Sequence, residues 1–479
     1  MKLKQLSICA FALVTLMEPA YANTEKQSNL KDQTGVAVTI YNEDLALIKD
    51  TRKIKLDSGV NKLAFRDVSG LIRAETALLR SLTQPGSFSM LEQNFDFDLL
   101  TPQKLLQKYV GKKVRIVKTH PTNGEETIEE AKVLSANNGV VLQIGDRIET
   151  GFPGRIIYDS IPGNLRDRPT LVMQLDNNIE KEQTVELSYL TGGLSWKADY
   201  VAELNSDDTL LDLNGWVTLT NASGTQYTNA LLQLVAGDVN RVSQDVEYDL
   251  IARGALMSAR ESKSVMSEES LLEYHMYSLD RPTTLANNQT KQVALLNANQ
   301  VSVNKEYLLK GADYYYRSHY GEIGKKLKVG VYVDFKNTKK AGLGMPLPKG
   351  TIRVYKKDSK GNAQFVGEDG IDHTPKNEDV KLKLGDAFDV TAHKKQMSFK
   401  KRPKTHPYNY VYDIAFEIEL NNAKTEDITV KVQEPIPGDW SMKSSSHKHS
   451  KVASGTAQWE VKVPAEDSVI LKYVVNVKY

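Results

Sequence analysis

The chain has 479 residues, with 62 Lys and Arg against 60 Asp and Glu, a formal net charge of +2, and 40% hydrophobic residues. A single hydrophobic core stops growing near roughly 250–300 residues, so several domains are expected. The near-neutral balance excludes a strongly basic nucleic-acid binder, and the single cysteine excludes a disulfide scaffold, a Cys-ligated zinc and an iron–sulfur site.

The first segment reads as an address. Lys2 and Lys4 precede an uncharged apolar run over 6–16, and Ala20-Tyr21-Ala22 supplies small residues at the cleavage-defining positions. This is the three-part pattern of a secretory signal, with cleavage expected before Asn23. The run is too short to cross about 30 Å of hydrocarbon. Cys9 lies inside it behind bulky Ile8, which argues against a lipid attachment site. Removing 1–22 takes away Lys2, Lys4, Glu18 and Cys9, leaving a cysteine-free chain of net charge +1. No later stretch reaches 18 consecutive apolar residues, so no helical span is expected. The expected location is periplasmic or secreted.

Residues 23–34 are polar and predict a frayed lead-in. Alternation of apolar and polar residues from Val36 to Val68, broken at Gly59, predicts antiparallel strands. At TPQKLLQKYVG the period changes. Thr101 suits a cap, Pro102 the first helical position, and Leu105, Leu106, Tyr109 and Val110 one face, with Gly111 as the stop. Five short strand-like runs follow within about 50 residues, with Asn-Gly turns between them, which predicts a small barrel or curled sheet. Longer alternating runs from Thr170 predict a central sandwich. Residues 241–270 are polar and charged without an apolar face and read as a mobile insertion. Regularly spaced strand signals after it predict an immunoglobulin-like sandwich, held without a disulfide and with Trp440 and Trp459 as core aromatics.

The stretches IYNEDLALIKDTRKIKLDSGVNKLAFRDVSG (40–70), LEQNFDFDLLTPQKLLQKYVGKKV (91–114), LSYLTGGLSWKADYVAEL (187–204) and GWVTLTNASGTQYTNALLQLVAGDVNRV (215–242) resemble a bacterial secreted family. So do YHMYSLDRPTTLANNQTKQVALL (274–296) and RVYKKDSKGNAQFVGEDGIDHTP (353–375), which are similar to the domain of unknown function numbered 4139, shared with mucoidy-inhibitor-like proteins. The resemblance implies an all-β secreted protein of unknown biochemical role. It carries no catalytic residues to transfer.

Several groups invite chemistry, each beside a plainer reading. His447 and His449 in SMKSSSHKHSK could chelate a metal from one strand face, but the stretch reads as a solvated hairpin loop without a third ligand. Asp372 and His373 are adjacent, so on a strand they point to opposite faces; with Glu368, Asp369, Glu378 and Asp379 they read as a solvated acidic turn, not a calcium loop. Asp96 and Asp98 alternate with Phe95, Phe97 and Leu99, giving either a carboxylate pair or the polar face of an amphipathic strand; the second is preferred. Trp196 and Trp216 could stack on sugars if exposed, but core packing is preferred for both. Tyr314, Tyr315 and Tyr316 are consecutive, so both strand faces would carry a ring and at least one should meet solvent, as a surface for glycan or peptide. Lys394, Lys395, Lys400, Lys401, Arg402 and Lys404 form a basic run that could meet anionic headgroups, against a solvated hairpin. Leu471, Tyr473, Val475, Val477 and Tyr479 alternate to an aromatic end, as outer-membrane barrels do; the last strand of a soluble sandwich is preferred.

No phosphate loop, HExxH, GxSxG or dinucleotide fingerprint is present, so no cofactor is expected. The sequence therefore predicts an all-β, multidomain protein: signal 1–22, an N-terminal β region 23–100, a helix near 102–110 with a barrel-like region over 101–165, a central sandwich 166–330 and an immunoglobulin-like sandwich 331–479. Its expected work is non-catalytic, through an envelope protein or glycan partner, with peripheral envelope association and no nucleic acid. The alternative is a carbohydrate-binding protein or hydrolase. The surface residues favoured for binding are Tyr314, Tyr315, Tyr316, Lys400, Lys401 and Arg402.

Overall fold

A computed structural model describes residues 25–42, 44–96, 98–137, 139–151, 154–162, 165–237, 266–271, 274–404 and 406–479. The signal segment 1–22 and residues 241–265 of the predicted insertion lie outside the described residues. The insertion's last residues open a strand, Met266–Leu271. The architecture is all-β with one short α-helix, in two compact units. One unit holds Met1–Val36, Leu47–Gly192 and Ser223–Thr225; the other holds Ala37–Ala46, Gly193–Ala222 and Gln226–Tyr479. Among the described residues no helix is long and apolar enough to cross a membrane.

The first unit contains a four-stranded sheet in the order Lys26–Ser28, Gly59–Arg66, Thr170–Asn177, Phe88–Asp96. The lead-in is thus not frayed. Lys26–Ser28 pairs in parallel with Gly59–Arg66, and its end is tied down by a buried cation. The fully buried Arg52 gives hydrogen bonds to Asp50 at 2.8 Å, to the Ser28 carbonyl at 3.0 Å and to the Arg66 carbonyl at 2.8 Å. Its guanidinium lies 3.7 Å from the centre of the Phe65 ring. A planar fork that satisfies a carboxylate and two carbonyls while stacking on an aromatic is a role lysine cannot fill.

The helix forms where the sequence predicts it, over Pro102–Lys108, with Thr101 Oγ1 accepting from the Lys104 amide at 3.2 Å. Leu106 and Tyr109 join a small core with Val114, Ile116, Val133 and Leu142. Val110, past the helix end, is exposed instead. The following five strands run in the order Arg147–Glu149, Val141–Ile144, Glu126–Ser135, Lys113–Thr119, Arg155–Ile157, all antiparallel. This sheet is open: the two terminal strands are three residues each and do not pair with one another. With outer strands this brief the sheet does not close, and of the two forms expected, small barrel or curled sheet, it takes the open one.

In the second unit, Leu194–Leu204 and Leu210–Asn221 form a sheet with Gly350–Lys357, Ala363–Ile371 and the first part of Gln289–Lys310. The 22-residue strand Gln289–Lys310 then changes partners. Its residues 303–308 pair with Glu322–Lys336, and 307–310 run parallel to Ile428–Pro435. A two-layer sandwich grows from this point. One layer carries Asp379–Lys401, Val411–Asn422, Asp467–Lys478 and Asp439–Ser445; the other carries Ile428–Pro435, Thr456–Val463 and His449–Ala453. Alternation fills the space between them: Ile414, Phe416, Ile418 and Leu420 meet Val430, Val432, Trp459 and Val461, with Tyr473 and Val475. Trp440 and Trp459 both lie in this core, as predicted. Trp196 is buried too, donating to the Val235 carbonyl, but Trp216 is 40% exposed. Its neighbours Gly215 and Val217 take the inward positions of that strand, so parity places the indole outside.

The buried face of the last strand, Leu471 to Val477, packs into this sandwich. The alternation that also fitted a membrane barrel is therefore that of a sandwich strand, and the described sheets form no closed barrel.

A buried ion pair bridges the two layers. Lys394, from Asp379–Lys401, lies 2.5 Å from Glu434 Oε2, from Ile428–Pro435; both side chains are essentially unexposed. The ammonium stands over the rings of Tyr315 and Phe416 at 4.5 and 4.7 Å. Glu434 Oε2 also accepts from the Tyr316 hydroxyl at 2.8 Å. Tyr316 has one proton to give, so the Tyr473 hydroxyl, 2.9 Å away, donates to it. Burial pulls the Lys394 ammonium below its usual range, with Glu434 opposing, and pushes both tyrosines up. Glu434 Oε1 accepts nothing among the described residues. Lys394→Met should cost about 3–5 kcal/mol, because it leaves a buried carboxylate without its cation. The double variant Lys394→Met/Glu434→Leu should regain most of that loss in urea unfolding followed by tryptophan fluorescence. A double variant as unstable as the single one would show that the pair is not what is being lost.

Candidate functional site

The sandwich core runs out to solvent at one end as a row of aromatic rings. Along Val411–Asn422 the inward parity of Ile414 and Phe416 continues backwards to Tyr412 and then Tyr410; along Asp467–Lys478 it continues forwards from Val477 to Tyr479. Tyr412 is the hub. Its ring centre lies 4.6 Å from that of Phe399, and 6.3 Å from those of both Tyr410 and Tyr479. The Tyr410 and Tyr412 planes are within 4° of parallel. Tyr410 is 48% exposed, and the Lys401 ammonium stands 5.5 Å from its ring centre.

The chain end is fixed on this row by its own backbone. The Asn409 amide donates to the Tyr479 carbonyl at 2.7 Å, and the Tyr479 amide donates to the Tyr410 carbonyl at 2.9 Å. On the rim, the Tyr408 hydroxyl donates to Asp439 at 2.7 Å, and Lys478 stands 5.3 Å from the Tyr408 ring centre.

The predicted tyrosine cluster divides. Asp313–Tyr316 is a short 3₁₀ turn, not a strand, so its three rings are not dealt alternately to two faces. Tyr315 and Tyr316 are buried against the Lys394–Glu434 pair, and desolvation pushes the Tyr315 hydroxyl up to about 12. Tyr314 is 50% exposed, edge-on to Tyr315 and to Tyr320, which is 42% exposed. The turn touches the aromatic row through the Tyr479 hydroxyl, which donates to the Tyr316 carbonyl at 3.3 Å.

The basic run divides as well. Lys394 is not on the surface at all, because strand parity turns it into the core while Lys395 faces out. Lys401 covers Tyr410. Lys400 is exposed, opposite Asp413 in register. Arg402 donates to Asp413 Oδ2 at 2.6 Å, alongside Lys443 at 2.6 Å, while Asn476 donates to Oδ1 at 2.8 Å. Burial alone would raise the Asp413 carboxyl; the hydrogen bonds from Lys443, Asn476 and Arg402 reverse this and hold it at about 2.

The remaining candidates stay apart. Asp96 accepts from Arg166 at 2.8 Å, and Asp98 pairs with Lys104 and Lys108 at the helix, so each carboxylate is held by its own cations. Glu368 pairs with Arg353, Asp379 with Lys336, and Asp369 accepts from the Lys383 amide. Glu368 and Asp369 belong to the strand Ala363–Ile371, not to a turn. His373 Nδ1 accepts from the Lys349 amide, and its Nε2 lies 3.2 Å from the Asn42 side chain. His449 opens a strand that pairs with Thr456–Val463, while Asp439–Ser445 pairs with Asp467–Lys478, so SMKSSSHKHSK crosses between layers instead of closing a hairpin. No group of three or more metal-ligating side chains occurs among the described residues.

Sequence reasoning missed Phe399, Tyr410, Tyr412 and Tyr479 as one surface. The signal was present in HPYNYVYD, where Tyr408, Tyr410 and Tyr412 recur at the period of a strand face.

An all-β chain whose C-terminal sandwich exposes its own aromatic core at one end is the class of protein that fold and site define. The family of the domain of unknown function DUF4139 matches residues 185–479. The chain belongs to that family, and the whole aromatic row lies inside the matched region. No curated protein matches the chain.

Asp413→Asn should lower stability at pH 7 by about 2 kcal/mol, the equivalent of a carboxyl held nearly two pH units below its unfolded value. A depressed carboxylate contributes fully above its unfolded value near about 4 and loses that contribution as the pH falls toward about 2. Urea unfolding of the native chain and the variant across this range should therefore converge at low pH. A constant gap would contradict it.

Proposed function

We propose that this protein is exported to the bacterial cell envelope and works there without catalysis, its immunoglobulin-like C-terminal sandwich binding an acidic glycan. The observation that carries the reading is the parallel pair Tyr410 and Tyr412, flanked by Phe399 and Tyr479, with Lys401 above the outer ring. A ring half in solvent offers a flat apolar face at low conformational cost, suited to the C–H face of a sugar. An ammonium beside it adds a charged hydrogen-bond donor for a carboxylated or phosphorylated sugar. The N-terminal signal pattern and the cysteine-free chain beyond it support export. The engagement of Asp96 by Arg166 and of Asp98 by Lys104 and Lys108 supports binding over hydrolysis, since glycoside hydrolysis needs two carboxyl groups free to act across one bond.

The test is retention of the full chain on an immobilised polyuronate against neutral dextran. The chain should bind the polyuronate selectively, and Tyr410→Ala and Lys401→Ala should each weaken binding about fivefold to tenfold with unchanged thermal unfolding. Equal retention on both matrices, or variants that bind like the native chain, would sink the glycan reading. Export is tested separately by osmotic-shock fractionation and N-terminal sequencing, which should find a chain beginning at Asn23. A cytoplasmic chain retaining Met1 would overturn it.

A further inference from the structure

A second concavity lies in the same unit; it shares the strand Asp379–Lys401 with the aromatic row, through Leu384, Gly385 and Asp386 at that strand's other end, and its remaining lining comes from other elements. It encloses about 230 Å³. Leu204, Val331, Val333, Val366 and Leu384 give it an apolar floor, and Lys305, Lys356, Asp208 and Asp386 give it charged walls.

Three backbone irregularities converge on it. Asp208 closes the turn between Leu194–Leu204 and Leu210–Asn221 with φ at 55°. In Ala363–Ile371 the pairing passes from Val354↔Gly367 to Tyr355↔Phe365, so Val366 is an extra residue without a partner. In Asp379–Lys401 the pairing passes from Tyr332↔Lys383 to Val331↔Gly385, so Leu384 is likewise extra. The two bulged residues, Val366 and Leu384, both line the cavity. Gly367 lets the bulges approach: its φ is 153°, and a Cβ there would sit 2.3 Å from the Leu384 carbonyl. Beyond the second bulge, Phe388 stands 94% exposed. Each irregularity gives up ladder hydrogen bonds or adopts a less favourable backbone, and bulges concentrate next to functional sites.

The charges are arranged for an anion. Lys305 and Lys356 each give one proton to Asp208, at 2.7 Å on Oδ2 and 2.6 Å on Oδ1. Lys356 keeps two further donors, while on Lys305 one of the remaining two faces the Tyr307 side chain. Asp386 is neutralised from the rim by Lys383 at 3.3 Å and Lys328 at 3.5 Å. Four cations thus meet two carboxylates around a floor without polar side chains. Asp208 takes one donor from each ammonium, and its charge competes with an incoming anion for both.

We propose that this cavity is a binding site for a small carboxylate with a short apolar body. The carboxylate would take the spare donors of Lys305 and Lys356, and the apolar part would lie on Val331, Val366 and Leu384. The volume is below that of most drug-sized sites, which restricts the occupant to a short chain or a single small ring.

The probe is hexanoate, titrated into the full chain and followed by ligand-observed NMR, against hexan-1-ol and hexylamine of equal apolar length. Hexanoate should saturate and bind at least about tenfold tighter than either analogue, weakening as salt rises. Lys356→Met should weaken it about tenfold. Asp208→Asn should tighten it several-fold, because the amide keeps the positive-φ turn while releasing both ammonium groups. A variant that merely damaged the fold would weaken binding, so the opposite signs separate the site from a structural effect. Equal binding of the three probes, no saturable binding of hexanoate, or an Asp208→Asn variant that binds more weakly would overturn the proposal.

Discussion

The Lys394–Glu434 pair is the constraint on which the C-terminal sandwich depends. It joins one layer to the other inside a cage of aromatic rings, where each charge would be costly alone. Because Tyr316 donates to the same carboxylate, the pair also fixes the Asp313–Tyr316 turn. Gly311 is drawn into the arrangement, since any Cβ there would fall 2.3 Å from the Glu434 carboxylate. Once the turn is placed, Tyr479 can reach the Tyr316 carbonyl, and the exposed aromatic row is held against the core that it extends. A buried polar contact thereby sets the position of a surface.

The alternation of the strands made most of this fold legible. A period of two with turn residues between runs is a local signal, and it reported the all-β class and the burial of Trp440 and Trp459, while the break in that period between Thr101 and Gly111 reported the short helix at Pro102–Lys108. What it could not report was which strands would be neighbours. Lys26–Ser28 looked like a polar lead-in because its stabilising partner, Arg52, acts through carbonyls that any sequence would supply. Lys394 looked like one of six surface cations because a charge run hides parity: the residue that turns inward has the same chemistry as its neighbours, and only Glu434, forty positions later, makes burial affordable.

The candidate surface was legible in halves for the same reason. Tyr314–Tyr316 and the 400–402 run were each marked by composition, yet neither is the surface by itself. Two of the three tyrosines are spent on the core, and Arg402 is spent on Asp413. Lys401 remains, with rings from three separate strand ends. Tyr479 looked like a strand-terminal aromatic, and its meaning changes only when Tyr412 and the Tyr316 carbonyl are beside it.

Bulges were wholly illegible, and they decide where this unit departs from a plain stack of sheets. A bulge is a mismatch between two strands, so it has no signature in either strand alone. Val366 and Leu384 read as ordinary apolar residues in alternating runs. Only the register shows both as supernumerary and both facing one concavity. Regular pairing explains how the two layers hold together without disulfides, since strand parity fills most core positions and the Asp313–Tyr316 turn supplies Tyr315 and Tyr316. It does not explain why three irregularities should gather around one pair of lysines. Irregular pairing placed beside hydrogen-bond donors not used by the fold is the arrangement expected of a site kept for a ligand.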